Sequence, residues 1–76
     1  MIKVGQIYQL PISKTPVIVT RIVTRKDKKY DDIYLLNVDG LQERLWKCVV
    51  EGMDLIAEYS TWQEAVNSKE FNGELK

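Results

Sequence analysis

Short apolar runs, many of them rich in β-branched residues, alternate with polar turns through most of the chain. The clearest run is Val17–Thr24, in which every residue except Arg21 is β-branched. Such side chains lose little freedom on a pleated surface but crowd the turns of a helix. The pattern therefore predicts a β-strand here. Similar runs predict four more strands, over Ile2–Leu10, Ile33–Val38, Leu41–Val50 and Met53–Tyr59.

The dipeptide Asp39-Gly40 separates two of these runs and indicates a tight β-hairpin. A two-residue loop needs positive backbone angles, which Asp and Gly tolerate. Counting outward from this loop pairs Val38 with Leu41 and Tyr34 with Leu45 on one face, which we expect to face the core. The opposite face then carries a mixture too apolar to leave bare without a reason: Ile33, Leu35, Arg44 and Trp46.

A short amphipathic helix is predicted near the end of the chain. Ser60 or Thr61 can cap its first turn, and Gln63 or Glu64 completes the capping box. One face of this helix carries Trp62, Ala65, Val66 and Lys69. We expect the helix to span about residues 61–69 and to cover part of the hairpin's second face.

Five short strands and one terminal helix predict a mainly β fold in a single domain spanning residues 1–76. Curling the antiparallel sheet into a small SH3-like barrel hides the edges that a flat sheet exposes. An open antiparallel sheet packed by the helix is the alternative. A chain of 76 residues removes only roughly 60% of its unfolded surface from water, which leaves no room for a second core.

Cysteine content and hydropathy bear on the compartment. Cys48 is the only cysteine, so no disulfide forms within the chain, which suits a reducing environment. No stretch approaches the ~20 apolar residues that a membrane helix requires. We therefore expect a cytoplasmic protein with no membrane association.

The side chains that usually announce catalysis are missing or unpaired. Histidine is absent, which removes the usual general base near neutral pH and the commonest metal ligand. Cys48 has no imidazole to activate it, and the predicted strand makes it a partly buried, inert thiol beside Trp46 and Val50. Asp31 and Asp32 point to opposite faces of a strand. We expect no enzymatic activity, no metal and no cofactor.

Charge is balanced in total but unevenly distributed. Lysine plus arginine and aspartate plus glutamate number 11 each, while residues 21–29 carry five cations against Asp27, a net charge of +4. Phosphate contacts need cations, and a nearby ring can stack on a base. The same composition also fits a solvated hairpin tip. The candidate nucleic-acid contacts are Arg21, Arg25, Lys26, Lys28, Lys29 and Tyr30.

The predicted hairpin face offers a protein-binding site as the second candidate. Indole, guanidinium and aliphatic groups dominate the energetics of protein interfaces. The candidate residues are Trp46, Arg44, Ile33 and Leu35. If the terminal helix covers this face, Trp46 and Trp62 are instead core partners. An uncovered patch or edge strand also permits a weak homodimer, so we expect a monomer or a weak dimer.

The two ends of the sequence carry a resemblance. The opening Val4-Gly5-Gln6-Ile7-Tyr8 and the segment from Leu55 to Phe71, which reads LIAEYSTWQEAVNSKEF, resemble small uncharacterised phage and prophage proteins of Gram-positive bacteria. The resemblance implies a genomic context and no particular residue roles. We therefore expect a non-catalytic accessory binding protein that engages a host or viral protein, with nucleic-acid binding through residues 21–30 as the alternative.

Overall fold

The computed structural model describes residues 1–24 and 31–72. These residues form five strands and three short helices. The strands are β1 (Gln6–Gln9), β2 (Pro16–Val23), β3 (Asp32–Asn37), β4 (Gln42–Trp46) and β5 (Asp54–Glu58), and the helices are α1 (Lys47–Glu51), α2 (Trp62–Val66) and α3 (Lys69–Asn72). The strands make one antiparallel sheet in the order β4-β3-β2-β1-β5. The mainly β prediction is confirmed, but the sheet is not closed, because β4 and β5 form its two edges.

The sheet buries apolar side chains on both faces, which we call the inner and outer faces. The inner face holds the larger cluster, made of Ile2, Tyr8, Val17, Val19, Ile33, Leu35 and Val50. The outer face holds a smaller one, made of Ile7, Ile18, Ala65 and Phe71. Adjacent residues of β1 and β2 thus serve different cores, because successive side chains of a strand point to opposite faces.

The β3–β4 hairpin forms, but its register differs by one residue from the predicted one. The Asn37 N–H donates to the Leu41 carbonyl at 2.9 Å, so the loop contains residues 38–40. The Asn37 side chain stabilises this longer loop, because its Oδ1 accepts from the N–H groups of Asp39 and Leu41. Since side chains alternate with a period of two, a shift of one residue changes which β3 and β4 side chains share a face.

Helix α1 replaces the predicted second half of the fourth strand. The strand ends at Trp46, and the helical turn carries Val50 into the inner cluster, where it is fully buried. Cys48 is exposed on α1, so its predicted position as a partly buried strand residue is wrong. The turn also leads the chain from edge strand β4 to edge strand β5.

The terminal helix begins as predicted but divides in two. Thr61 caps α2, since its Oγ1 accepts from the Glu64 N–H at 3.2 Å. The helix ends at Val66, and α3 follows as a separate element where the sequence pattern predicts one helix to residue 69. Ser68 stabilises the break by donating to the Ala65 carbonyl at 2.6 Å and accepting from the Phe71 N–H.

Both terminal helices pack against the outer face. Their contacts with the sheet are mainly with β1 and β2. The sequence pattern predicts instead that the terminal helix covers part of the β3–β4 hairpin. Ala65 and Phe71 of these helices pack in one buried cluster with Ile7 and Ile18 of the sheet. No helix among the described residues is long and apolar enough to cross a membrane.

Gly5 is the point where three segments of backbone meet. Its N–H donates to the Val19 carbonyl at 2.9 Å, and its carbonyl accepts from the Tyr59 N–H at 3.1 Å. The residue has φ of +97°, and a Cβ atom placed on it would lie 2.3 Å from the Tyr59 carbonyl oxygen. Both the backbone conformation and the close approach therefore require glycine.

Three glycine-to-alanine substitutions separate these two requirements. Gly5→Ala is expected to lower the free energy of unfolding by at least about 2 kcal/mol, because it adds a backbone clash to the strain of positive φ. Gly40 has φ of +84° and open space around it, so Gly40→Ala should cost only about 1 kcal/mol. Gly52 has negative φ, so Gly52→Ala should cost nothing. Urea denaturation of the three variants tests this order, and equal losses at Gly5 and Gly40 would contradict it.

A hydrogen bond from Tyr59 to Glu70 ties α3 to the end of β5. The Tyr59 hydroxyl donates to the Glu70 carboxylate. This bond raises the pKa of Tyr59, with a further contribution from burial, and lowers the pKa of Glu70. The Glu70 contribution to stability is present above the unfolded pKa and is lost as pH falls through the folded pKa. The Tyr59 contribution is complete below its unfolded pKa and is lost as pH rises through the folded one.

The substitution Tyr59→Phe should therefore have a pH-dependent effect. We expect the stability difference from wild type to be largest between about pH 5 and about pH 9, where tyrosine is neutral and glutamate ionised, and to shrink at both extremes. Denaturation midpoints measured across pH 3–11 test this window. Tyr34→Phe is the control, and its stability difference from wild type should not show this pH dependence. A Tyr59→Phe difference that stays constant over the whole range would contradict the pairing.

Candidate functional site

Four large polar or aromatic side chains gather on the outer face of β2, β3 and β4. The register places Arg21 opposite Tyr34 and Tyr34 opposite Arg44, so the three residues form a row across three strands. Trp46 lies two residues beyond Arg44 on the same face. We call this group the outer-face cluster: Arg21, Tyr34, Arg44 and Trp46.

A β-bulge in β2 brings Arg21 to this face. The ladder between β2 and β3 shifts between Val19 and Arg21, so Thr20 is the extra residue. Without the bulge, strict alternation from Val17 and Val19 would turn Arg21 toward the inner core. With it, Ile22 packs at the inner cluster and Arg21 points outward. The Thr20 hydroxyl donates to the Tyr34 carbonyl at 3.3 Å and links the bulge to β3.

A contact between Arg21 and Tyr34 orients two members of the cluster. The Arg21 guanidinium lies over the Tyr34 ring, 5.6 Å from its centroid, which is within the range of a cation–π interaction. Arg21 and Arg44 are exposed, and Tyr34 is half-buried between them. Neighbouring strands are about 5 Å apart, so the backbones at Arg21 and Arg44 are separated by about 10 Å.

Trp46 presents much of its indole to solvent, with 55% of its surface exposed. Its cross-strand neighbour is Asp32, which is buried. The terminal helices cover β1 and β2, so they leave the Trp46 end of this face accessible. The alternative in which the terminal helix covers this face and Trp46 and Trp62 are core partners does not apply, because Trp62 packs with Ala65 and Phe71 in the smaller core of the outer face.

The predicted four-residue protein patch is divided between the two faces. Ile33 and Leu35 are each 1% exposed in the inner core, whereas Arg44 and Trp46 lie on the outer face. The one-residue change of register is the cause. The same change moves Tyr34 from the expected core face to the outer face. Arg44 and Trp46 are therefore exposed, while Ile33 and Leu35 belong to the core.

The predicted nucleic-acid residues are only partly described. Arg21 lies in the outer-face cluster, next to Tyr34. The other predicted contacts lie outside the described residues: Arg25, Lys26, Lys28, Lys29 and Tyr30. The structure thus brings Arg21, predicted for nucleic acid, together with Arg44 and Trp46, predicted for protein.

The remaining features of the surface offer little chemistry. A shallow depression of about 350 Å³ is lined by Lys3, Val4, Glu58, Tyr59 and Ser60. Glu58 is engaged there, because its Oε2 accepts from the buried Gln6 amide at 3.1 Å. Within residues 1–24 and 31–72, no group of three or more cysteine, aspartate or glutamate side chains is arranged to hold a metal ion.

Comparison of the chain with protein-family models, with curated proteins and with solved structures gives no match. Sequence reasoning missed Tyr34 as a member, because the predicted hairpin register placed it on the core face; for the outward position of Arg21, one sequence signal exists. Val17 and Val19 belong to the inner core, but the next apolar residue on that side is Ile22, three residues later instead of two. Such a break in a period of two is typical of a β-bulge.

The two tryptophans should report separately on the two ends of the outer face. With Trp62→Phe, the remaining Trp46 emission is expected to be red-shifted and readily quenched, and iodide should quench it more strongly than caesium because Arg44 shares its face. With Trp46→Phe, the emission of the half-buried Trp62 should be blue-shifted and protected. Stern–Volmer constants of both variants test this, and equal quenching of the two would contradict the arrangement.

Proposed function

We propose that this chain is a non-catalytic binding protein that engages a protein partner through the outer-face cluster. The observation that carries the proposal is the cross-strand row Arg21–Tyr34–Arg44 with Trp46 beside it. Trp, Tyr and Arg are the residue types enriched at the energetic centres of protein interfaces. Here all three types share one accessible face of a sheet.

Rigidity supports a binding role. The four side chains project from strands, and the Arg21 guanidinium is already stacked on the Tyr34 ring. A side chain that is ordered before binding loses less conformational entropy on association. The cluster is thus better organised for recognition than a set of residues on a loop.

The proposed setting is that of a cytoplasmic accessory protein of phage or prophage type. Its support is the resemblance of residues 4–8 and 55–71 to such proteins. We also propose that the fold is of the SH3-like kind. The support for this is the order of the five antiparallel strands, with the short α1 leading from one edge strand to the other.

Nucleic-acid binding is the second candidate function. Arg21 beside Tyr34 favours it, because a stacked ring and a guanidinium can hold a base and a phosphate. Of the cations predicted for this role, the structure describes Arg21, whereas Arg25, Lys26, Lys28 and Lys29 lie outside the described residues. The combination of Trp, Tyr and Arg in the outer-face cluster favours a protein partner, because these residue types are enriched at interface hot spots.

A capture experiment with matched variants tests the proposed function. The wild-type protein is immobilised and incubated with a nuclease-treated lysate of a Gram-positive bacterium, from which it should retain a partner. Trp46→Ala and Arg44→Glu should each lower the amount of partner retained by at least about tenfold, as expected for interface hot spots. Ile12→Ala is the control, because Ile12 is 94% exposed on the loop between β1 and β2.

Two outcomes would contradict the proposal. One is that no partner is recovered by the wild type, or that recovery is unchanged in both cluster variants. The other is that the purified chain binds DNA or RNA with an affinity that falls steeply with added salt and depends on Arg44, which would establish the second candidate instead.

A further inference from the structure

We propose that β4 is the docking edge for an extended segment of the partner protein, which adds to the sheet as an antiparallel strand and places an acidic side chain opposite Arg44. This inference rests on the proposed function and specifies the chemistry of its partner.

The hydrogen bonds of the hairpin show which backbone groups of β4 are turned toward the open edge. The Asn37 N–H donates to the Leu41 carbonyl at 2.9 Å, and the Lys47 N–H donates to the Asp31 carbonyl at 3.1 Å. Hydrogen-bonded and non-hydrogen-bonded pairs alternate along an antiparallel ladder. The odd-numbered residues of β4 therefore bond to β3, and Gln42 and Arg44 direct their N–H and C=O groups away from it.

These outward backbone groups have no strand to pair with in the described part of the chain. Strand β4 is the last in the strand order, and four of its five residues are exposed. An unpaired row of N–H and C=O groups is a template for a further strand, and many peptide-recognition domains use such an edge.

The same alternation places the Arg44 side chain where it can contact a side chain of the added strand. Gln42 and Arg44 present their backbone groups to the edge and their side chains to the outer face. A residue opposite Arg44 in the added strand would have its Cβ atom about 5 Å away on that face. Because Arg44 is exposed, an acidic residue at this position is attracted by its guanidinium group.

The other edge of the sheet does not offer this chemistry. Strand β5 begins at Asp54 and ends at Glu58, both exposed, so this edge carries acidic side chains that repel an acidic segment. Its ladder with β1 is also interrupted by a register shift near Ile56. The acid of β4, Glu43, lies on the inner side, away from Arg44.

A second copy of the chain fits the β4 edge poorly. Antiparallel pairing of two β4 strands over their whole length would place Arg44 opposite Arg44 of the other copy. Like charges directly opposite each other on a sheet are destabilising. The occupant that complements this edge is therefore an acidic extended segment of a different protein.

Backbone-methylated peptides test the inference on the purified, full-length wild-type protein. The probe is the peptide Ser-Leu-Thr-Glu-Thr-Gln-Ser, in which Glu is placed opposite Arg44 and Leu opposite Trp46. Its binding should shift the NMR amide signals of Gln42 and Arg44. Methylation of the Glu amide nitrogen, which faces β4, should weaken binding at least about tenfold, since it removes a ladder hydrogen bond. Methylation of the following Thr nitrogen, which faces solvent, should leave the affinity within about twofold.

A charge exchange supplies the second arm. Replacing Glu by Lys in the peptide should abolish binding to the wild type, and the variant Arg44→Glu should restore it. Circular dichroism establishes that the variant is folded, and the methylation arm stands independently because it uses wild-type protein.

Several results would overturn the inference. Two of them are the absence of peptide binding and equal effects of the two methylations. A third is a concentration-dependent shift of the β4 NMR signals without peptide, which would indicate self-association. A fourth is a shift of these signals by oligothymidylate alone, which would indicate nucleic-acid binding. If the peptides fail but the capture experiment shows the expected loss in Trp46→Ala, the partner uses the outer face without adding a strand. If the peptides bind as expected but Trp46→Ala and Arg44→Glu retain as much of the captured partner as the wild type does, the proposed function is wrong and the inference about β4 is not affected.

Discussion

The fold depends on the close approach of three backbone segments at Gly5. Hydrogen bonds from this residue join the start of β1 to Val19 of β2 and to Tyr59 after β5, so one residue fixes the relative positions of the middle and the edge of the sheet. The 2.3 Å between an added Cβ atom and the Tyr59 carbonyl shows that no side chain fits there. The neighbouring Gln6 continues the junction, because its buried amide bonds Lys3, Tyr8, Met1 and Glu58.

Once these segments are fixed, the two faces of the sheet acquire different roles. The inner face is filled by aliphatic side chains and Tyr8, with Val50 of α1 completing it. The outer face is covered by α2 and α3 only over β1 and β2. The part over β3 and β4 stays accessible and carries the outer-face cluster. The proposed binding surface is thus the portion of the sheet that α2 and α3 leave exposed.

Much of the fold can be predicted from local patterns. The five strand regions and the Thr61 cap of α2 follow from β-branched runs, turn residues and a capping box, which act over a few neighbouring residues. The hairpin register is not predictable in this way. A two-residue Asp39-Gly40 loop and the observed longer one satisfy the same local preferences, but only the longer one places Leu45 beside Ile33 at the inner cluster, which is built from distant segments. That single step separates Ile33 and Leu35 from Arg44 and Trp46.

The sequence by itself determined a mainly antiparallel β chain without histidine and with a lone cysteine, because composition and period-two patterns are properties of the chain alone. Only the tertiary structure decided that β2 bulges at Thr20, that the chain after Trp46 turns into a helix to bury Val50, and that Arg21, Tyr34, Arg44 and Trp46 meet on one face. The physical reason is that two cores must be filled from alternate residues of the same strands. Which residue is inserted or turned to satisfy both depends on contacts between segments distant in the sequence.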